Sequence, residues 1–419
     1  MAEINASCCF IGNKKNAAVA EDYTDLEAEQ HAKEVGAYPR PVTGTLVDGK
    51  PINEIDERGE FIRQANTFIT PFGYKEGEIE PLANRYVIYW ANFCNWSNRP
   101  VIVRDILGLT NIIADESVLP TAKSNKYGWG FTNYKDHKDP ITGAYFLSEF
   151  YRNAKKDYNG RSTTPAIVDL ETKSTVNNDY HRLTNYLEVK FRKFQPTNAP
   201  DLYPKAYRKE IDEFNDWLFP HVNNGHYRMA FAQEVEPFDE AYDDFYDSLE
   251  KLDKRLETNR FLFGDYITDS DIRFYVTLVR WETWYYQNVG PIKKRIFSYK
   301  NIGEYVKDLY QIPEFRKYTF FPTNESKNDR SFRAFSERIA PKVDYYTLWQ
   351  SDGKRRLLSN DPNHVYLYHK KGETFEEYDS EISKTIWNSP NDEDRYPKNG
   401  TISTDPSINP LKGKLRNEF

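Results

Sequence analysis

The fold is decided by residues 86–99, YVIYWANFCNWSNR, in which an apolar run meets a helical pattern. The apolar residues from Tyr86 to Trp90 predict a buried strand, and the pattern that begins at Asn95 predicts a helix. Cys94 lies at the junction, where the N–H groups at a helix start carry a partial positive charge. That charge favours a thiolate over a thiol. The stretch therefore predicts a strand–cysteine–helix unit with thiol chemistry at Cys94.

The next segments extend this unit into a sheet. Gly108 is a suitable end for the helix, and residues 111–114 are the next strand candidate. A β-α-β order favours an α/β sheet domain. Further along, Thr164-Pro165 comes directly before the apolar run of residues 166–168. A proline at this place resembles the cis-proline of thioredoxin-like domains, where the preceding residue offers its backbone to a bound thiol.

The chain beyond about residue 200 has a helical pattern. Residues 207–219 and 238–256 carry apolar side chains at spacings of three and four, which predicts two amphipathic helices. A third helix is predicted after Thr268, which can cap it while Asp271 reaches back. We therefore divide the chain into an N-terminal extension (1–60), an α/β domain (61–195), an all-helical domain (196–335) and a C-terminal extension (336–419). Within the last part, residues 363–369 predict a strand, with a hairpin turn after it.

Composition excludes several classes of protein. The 419 residues carry a formal charge of -7, which argues against a general affinity for nucleic acid. No apolar run approaches the roughly 20 residues that cross a bilayer, and the start of the chain lacks a secretion signal. Three cysteines, Cys8, Cys9 and Cys94, cannot build a disulfide framework, so we expect a cytoplasmic protein. No motif for a nucleotide or a metal ion is present, and we expect no metal.

Taken together, residues 59–321 resemble the glutathione transferases of the Xi class, which are glutathionyl-hydroquinone reductases. Residues 89–99 occupy the place of that family's active-site segment, which ends Cys-Pro-Trp-Ala-His-Arg. The helical half carries the most specific matches: Tyr203-Pro204, residues 211–217, residues 222–225, Tyr227, Gly264-Asp265, residues 277–280 and residues 308–311.

The resemblance implies a thioredoxin-like N-terminal domain followed by an all-helical domain, usually in a homodimer. It implies that glutathione is the co-substrate and that a small aromatic electrophile or conjugate of the hydroquinone type is the substrate. Cys94 would attack the sulfur of the conjugate, and a second glutathione would resolve the mixed disulfide. The residues implied are Cys94, Ser97 and Arg99 for catalysis, Trp129, Thr164, Pro165, Asp179 and Tyr180 for thiol binding, and Tyr227, Tyr285 and Tyr286 for the substrate pocket.

The residues themselves also support a mechanism with one cysteine, because Cys94 and Ser97 form a Cys-x-x-Ser motif without a resolving thiol. Ser97 is expected to hydrogen-bond the thiolate. The site departs from the family pattern, since Asn95 replaces a proline, Asn98 a histidine, and Asp179-Tyr180 a Glu-Ser pair.

Two alternatives follow from these departures. One is a non-catalytic binding or scaffold protein that kept the fold, and the other is an enzyme that uses a different small thiol in place of glutathione. His181, beside Tyr180, is expected on a helix surface rather than as a general base.

Overall fold

The computed structural model describes residues 23–321 and 345–382, except for residues 43, 48, 123, 284, 290–291, 370–371, 376–378 and 380–381. The described chain divides into two compact units. The first unit holds residues 23–53 and 66–183, and the second holds residues 54–65, 184–321 and 345–382. The predicted domain boundaries at residues 60, 195 and 335 stay predictions.

The first unit is an α/β sandwich of short elements. Its helices are α1 (Asp25–Val35), α2 (Asn95–Ile106) and α3 (Leu147–Ala154), and its strands are β1 (Leu46–Val47), β2 (Lys50–Pro51), β3 (Tyr86–Trp90), β4 (Ala114–Ser117), β5 (Leu119–Pro120), β6 (Trp129–Gly130), β7 (Ala166–Asp169) and β8 (Ser174–Asn177). The main sheet has the order β4-β3-β7-β8. β3 is parallel to β4 and antiparallel to β7, with Val87 opposite Ala114 and Ile88 opposite Ile167.

The predicted β-α-β unit is confirmed, with one shift. β3, α2 and β4 follow in order, and Gly108, with a φ of 67°, comes just after the end of α2. The second strand begins at Ala114, so its predicted position at residues 111–114 is wrong. The N–H groups of Ile112 and Ile113 both donate to the Leu109 carbonyl oxygen, which holds these residues in turns. Ile113 is buried, which explains why the segment resembles a strand in sequence.

The first unit also includes a helix, α1, that the sequence analysis did not predict. Thr24 caps it in a capping box: the Thr24 hydroxyl accepts from the backbone N–H of Glu27, and the Glu27 carboxylate accepts from the backbone N–H of Thr24. Its buried side chains, with Tyr23, pack in a small aromatic cluster: Tyr23, Ala28, Ala32, Tyr127, Tyr145 and Phe146.

The second unit is helical. Its helices are α4 (Leu183–Asn185), which begins at the boundary between the units, α5 (Arg208–Leu218), α6 (Gly225–Phe231), α7 (Val235–Arg255), α8 (Asp269–Thr283), α9 (Lys300–Tyr310), α10 (Pro313–Lys317) and α11 (Tyr345–Leu348), with π-helical turns at Tyr186–Lys190 and Phe219–Asn223 and 3₁₀ turns at Arg192–Phe194, Lys205–Tyr207, Tyr285–Asn288, Ile296–Ser298 and Lys354–Leu358. Every residue of α8 is buried. The three helices predicted after residue 200 are therefore confirmed.

The start of α8 is fixed by a buried carboxylate, as the sequence predicts. Asp271 accepts hydrogen bonds from the backbone N–H of Thr268 at 2.8 Å and from its hydroxyl at 3.1 Å. It also accepts from the N–H of Leu262 and the hydroxyl of Tyr305, both at 2.9 Å. Burial raises the pKa of Asp271 to about 6.

Among the residues that the structure covers, no helix has the length and apolar character needed to span a membrane.

The segment after residue 344 belongs to the packing of the second unit. Trp349 is fully buried, and Arg355 donates to the carbonyl oxygens of Leu256, Asn259, Arg260 and Asn301.

The strand predicted at residues 363–369 is wrong, and the hairpin turn predicted after it includes residues 370 and 371, which lie outside the described residues. The Val365 and Leu367 carbonyl oxygens accept from the N–H groups of Ile267 and Asp201, at 2.9 and 3.0 Å. Apart from one bridge between Tyr368 and Pro200, the described part of this stretch contains no strand.

Candidate active site

Cys94 is the first residue to consider, and it occupies the N-cap position of α2. Its backbone is extended, with a φ of -90° and a ψ of 108°, so the chain leaves β3 and turns directly into the helix. The side chain is partly exposed and makes no disulfide. The predicted place of Cys94 between a strand and a helix start is therefore confirmed.

Thr164 and Pro165 lie beside Cys94, and the peptide bond between them is cis, as the sequence predicts. The Cys94 thiol donates to the Thr164 carbonyl oxygen, with a sulfur–oxygen distance of 3.7 Å. Pro165 is followed at once by β7, which pairs with β3. Two neighbouring strands therefore bring Cys94 and Thr164 together. We call Cys94, Thr164, Pro165 and residues 95–99 of α2 the thiol site.

The polar side chains that follow Cys94 in the first turn of α2 are buried. Among the described residues, neither amide atom of Asn95 has a partner, and the same holds for Ser97 Oγ and Asn98 Nδ2. These three residues are at most 2% exposed. Ser97 therefore does not hydrogen-bond Cys94 in this structure, contrary to the expectation from the motif. Arg99 is also buried, and its guanidinium carbon lies 4.7 Å from the centre of the Trp96 ring.

Trp129 is carried by the small β5–β6 hairpin. Its ring centre lies 5.5 Å from that of Phe93, the residue before Cys94. The partly buried Trp129 and Cys94 pack against the same hydrophobic cluster, which includes Phe131 and Leu147. The structure thus brings this predicted thiol-binding residue into the surroundings of Cys94.

Asp179 and Tyr180 follow β8 and form a turn before α4. The backbone N–H of Asp179 donates to Asn177 Oδ1 at 2.9 Å, and its carboxylate accepts from the N–H of His181 at 3.2 Å. The Tyr180 ring lies 5.0 Å from the Trp96 ring, so the phenol packs against the first turn of α2. His181 is only 3% exposed and lies against Tyr180, so its predicted place on a helix surface is wrong.

The second unit contains a further group of side chains, three aromatic rings and one arginine, which we call the tyrosine site: Arg63, His226, Tyr227 and Tyr285. The hydroxyl oxygens of Tyr227 and Tyr285 are 2.9 Å apart, within hydrogen-bonding distance. His226 is stacked on Tyr285, with ring centres 3.8 Å apart and planes at 1°. The structure therefore joins two of the three predicted pocket tyrosines. Tyr286 instead lies under Arg295, whose guanidinium carbon is 3.9 Å from its ring centre.

Arg63 and His226 are residues that the sequence analysis missed. Arg63 lies over the Tyr227 ring at 4.4 Å, and its Nε donates to Asn224 Oδ1 at 3.0 Å. Burial lowers the pKa of His226 to about 3, and the positive charge of Arg63 acts in the same direction. The imidazole is therefore neutral near pH 7. No motif marks these two residues, because they act through contacts distant in sequence.

The fold and the thiol site define a class of protein. A thioredoxin-like unit with a cysteine at the start of the helix between β3 and β4, followed in the chain by an all-helical unit, is the architecture of glutathione transferases. In keeping with this, residues 235–305 match the family model for the glutathione S-transferase C-terminal domain.

Among the described residues, no group of three or more His, Cys, Asp and Glu side chains is arranged to hold a metal ion.

Known proteins give the same result. The glutathione S-transferase omega-like 2 of Schizosaccharomyces pombe is 32% identical over 274 residues, which cover 63% of this chain and 86% of that protein. The glutathionyl-hydroquinone reductase YqjG of Escherichia coli is 33% identical over 232 residues, covering 55% of this chain and 70% of YqjG.

Solved structures agree with these sequences. The Xi glutathione S-transferase of Phanerochaete chrysosporium superposes with a TM-score of 0.63 at 29% identity, covering 71% of this chain and 96% of that one. The glutathione-bound structure of YqjG gives a TM-score of 0.59 at 28% identity, covering 68% and 96%.

This chain belongs to the glutathione transferase family, and within it to the Xi class. The predicted thioredoxin-like and all-helical fold is confirmed, and so is the prediction of an enzyme of this family. The protein is a glutathione-dependent transferase or reductase.

Proposed function

We propose that this protein removes a glutathionyl group from hydroquinone conjugates. The observation that carries the proposal is the partly exposed Cys94 at the start of α2, with its sulfur 3.7 Å from the Thr164 carbonyl oxygen. A relative that is 33% identical is a glutathionyl-hydroquinone reductase, which supports the same chemistry here.

In the proposed reaction, the Cys94 thiolate attacks the sulfur of the conjugate. A bond forms between the two sulfur atoms, and the bond between sulfur and the aromatic ring breaks. The electron pair of that bond stays with the ring, which takes up a proton and leaves as the free hydroquinone. Cys94 is left as a mixed disulfide with glutathione.

A second glutathione completes the cycle. Its thiolate attacks the glutathione sulfur of the mixed disulfide, which releases oxidised glutathione and restores the Cys94 thiolate. Within the Cys94-x-x-Ser97 motif, a serine stands where a resolving cysteine would be. Two molecules of glutathione, one of them from the conjugate, are therefore oxidised for each hydroquinone released.

The other predicted residues take supporting roles in this proposal. Trp129, Thr164, Pro165, Asp179 and Tyr180 bind the glutathione part, and Arg99 stabilises the first turn of α2 through its contact with the Trp96 ring. Tyr227, Tyr285 and Tyr286 receive the aromatic ring. A homodimer in the cytoplasm, without membrane or nucleic-acid partners, stays our prediction for the state in which the enzyme works.

The test is turnover of glutathionyl-menadiol with excess glutathione, measured for the wild type and for Cys94→Ala. We expect the substitution to lower kcat by at least about 1,000-fold, because no other group replaces the nucleophile. A Cys8→Ala/Cys9→Ala variant is the matched control and should keep wild-type activity. Mass spectrometry of the wild type, trapped during turnover, should find glutathione attached to Cys94.

Other outcomes would select an alternative. Equal turnover by the wild type and Cys94→Ala would reject the proposal. Glutathione binding without any turnover would point to a binding protein, in line with the Tyr180 ring packed on Trp96. Attachment of another thiol to Cys94, in protein isolated from its own host, would identify a different co-substrate.

A further inference from the structure

The β5–β6 hairpin, which carries Trp129, is a short element with a ladder of two residue pairs, one of which joins Pro120 and Trp129. Toward its turn, the N–H and the hydroxyl of Thr121 both donate to the Gly128 carbonyl oxygen, at 2.8 and 3.0 Å. A two-stranded hairpin of this size is only marginally stable by itself. Contacts at its other, open end therefore matter for the position of Trp129.

The open end of the hairpin is joined by side chains. Glu116 lies in β4, shortly before β5, and Tyr134 follows β6. The Tyr134 hydroxyl donates to Glu116 Oε2 at 2.9 Å, and Glu116 Oε1 accepts from the N–H of Ser117 at 2.9 Å. Asn133 Nδ2 donates to Ser117 Oγ at 3.4 Å beside this pair. We call Glu116 and Tyr134 the hairpin clamp.

The chain between the hairpin clamp and Trp129 is short and well packed. The backbone N–H of Tyr134 donates to the Phe131 carbonyl oxygen at 3.1 Å, and the Phe131 side chain is fully buried. Tyr134, Trp129 and Cys94 all pack against the hydrophobic cluster that contains Phe131. The Trp129 ring centre lies 5.5 Å from that of Phe93. A displacement of Tyr134 would therefore be transmitted to the Trp129 ring.

We propose that Glu116 is a positioning residue for Trp129. Its carboxyl group holds the Tyr134 hydroxyl at the open end of the hairpin, and this keeps the indole in the surroundings of Cys94. The inference rests on the proposed function, in which Trp129 binds the glutathione part of the substrate. Glu116 itself acts through Tyr134 and does not contact the substrate.

The carboxyl group of Glu116 is mainly protonated at pH 7. Burial raises its pKa to about 8, although the hydrogen bond from Tyr134 acts in the opposite direction. The charges of Asp139 and Asp115 raise it further. The titratable and charged groups around it come from four parts of the first unit: Asp115 in β4, Tyr89 in β3, Arg104 in α2, which is paired with Asp115, and Tyr134 and Asp139 in the segment after β6.

This protonation makes the hairpin clamp dependent on pH. A Glu116 side chain that has left Tyr134 for water has a pKa near its ordinary value of 4.5. Between about pH 4.5 and pH 8 the open form is therefore ionised while the clamped form keeps its proton, so each pH unit favours opening by up to about tenfold. Above about pH 8 both forms are ionised and the ratio becomes constant. Affinity for glutathione should fall as the pH is raised from 6 to 8.

The experiment measures binding of S-methylglutathione to the full-length protein by titration calorimetry at pH 6 and pH 8. This ligand has no thiol and does not react with Cys94. Glu116→Gln imitates the protonated carboxyl group but cannot ionise, so it should match the wild type at pH 6. Between the two pH values, we expect the Kd of the wild type to rise by about 3- to 30-fold more than that of Glu116→Gln. Other titrating groups are common to both proteins and cancel in this comparison.

Tyr134→Phe tests the other half of the hairpin clamp. It removes one hydrogen bond and should weaken binding at pH 6 by about fivefold. Hydrogen exchange of the backbone N–H groups in residues 119–130 should be faster in this variant than in the wild type, which would locate the change in the hairpin. Lys135→Gln is the matched control, because Lys135 is exposed and comes directly after Tyr134. It should behave as the wild type in both measurements.

Equal pH dependence of Kd in the wild type and Glu116→Gln would overturn the inference, and so would wild-type affinity in Tyr134→Phe. A wild type that does not bind S-methylglutathione would overturn it as well. Turnover is not measured here, so the proposed function is tested separately. If the wild type binds S-methylglutathione but does not release menadiol from its conjugate, the proposed function fails, and the comparison of Kd values still decides the role of Glu116.

Discussion

At the thiol site backbone groups surround the reactive side chain of Cys94, whereas at the tyrosine site other side chains surround the hydroxyl pair. Cys94 lies at a helix start and next to the Thr164 carbonyl oxygen, and both features follow from the paths of β3, α2 and β7. The hydroxyl pair of Tyr227 and Tyr285 depends instead on stacking by His226 and Arg63.

The difference explains how the two sites respond to changes of sequence. The backbone geometry of the thiol site persists although Asn95 and Asn98 stand where the family pattern has proline and histidine. Among the described residues, both amide atoms of Asn95 and the Nδ2 of Asn98 are buried without partners, which costs stability but leaves Cys94 in place. At the tyrosine site, a change in any one ring would move its neighbours, so we expect it to tolerate fewer substitutions.

The largest effect we expect concerns His226 and acid stability. The unfolded chain binds a proton on this imidazole below about pH 6.5, but the folded protein binds it only near pH 3, so the free energy of unfolding falls as the pH is lowered between these values. Between pH 7 and pH 5 this group accounts for about 2 kcal/mol of the loss. His226→Phe keeps a stacked ring and should remove that part of the pH dependence.

Urea denaturation at the two pH values measures this effect. His369, whose pKa burial also lowers to about 3, continues to destabilise the variant in acid, so the pH dependence is reduced and not abolished. A His226→Phe protein that loses as much stability as the wild type would show that the imidazole is not buried in neutral form.

A smaller effect is expected from the hydroxyl pair. Tyr227→Phe and Tyr285→Phe should each lower kcat/KM for glutathionyl-menadiol by about tenfold, because each removes one end of the shared hydrogen bond. Since the two hydroxyls act as a unit, the double variant should lose little more than either single one. Independent, multiplicative losses in steady-state kinetics would mean that each tyrosine contacts the substrate separately. Reduction of bis(2-hydroxyethyl) disulfide is the control and should not change.

The sequence predicts the backbone of the thiol site better than its side-chain contacts. The strand–Cys94–helix order and the cis Thr164-Pro165 bond depend on local signals, such as an apolar run and a proline before a strand, and both are confirmed. The hydrogen bond expected from Ser97 to the thiolate is absent from the described contacts, because the direction of a side chain depends on its tertiary neighbours.

Other errors have different causes. The helix at Asp25–Val35 has a clear start signal in Thr24 and Glu27, but the polar composition around it suggested an extension. The contact of Arg63 with Tyr227 joins positions far apart in the chain, so no local pattern indicates it. The segment around Val365 alternates like a strand because its backbone carbonyl oxygens accept from the N–H groups of Asp201 and Ile267.

The smallest effect separates two buried serines and bears directly on the comparison of the sites. Ser97 Oγ has no partner among the described residues, whereas Ser270 Oγ, in α8, donates to Asn215 Oδ1 at 2.8 Å, and both residues are fully buried. Ser97→Ala removes a hydroxyl that is buried without a hydrogen bond, so it should raise the free energy of unfolding by up to about 1 kcal/mol. Ser270→Ala removes a hydroxyl that is hydrogen-bonded, so it should lower the free energy of unfolding by about 1 to 2 kcal/mol. Alkylation of Cys94 by iodoacetamide should proceed at the wild-type rate in Ser97→Ala, because the Ser97 hydroxyl makes no hydrogen bond to the Cys94 sulfur in this structure. A Ser97→Ala protein that is less stable and reacts several-fold more slowly would place the Ser97 hydroxyl on the sulfur, and the thiol site would then depend on side chains as the tyrosine site does.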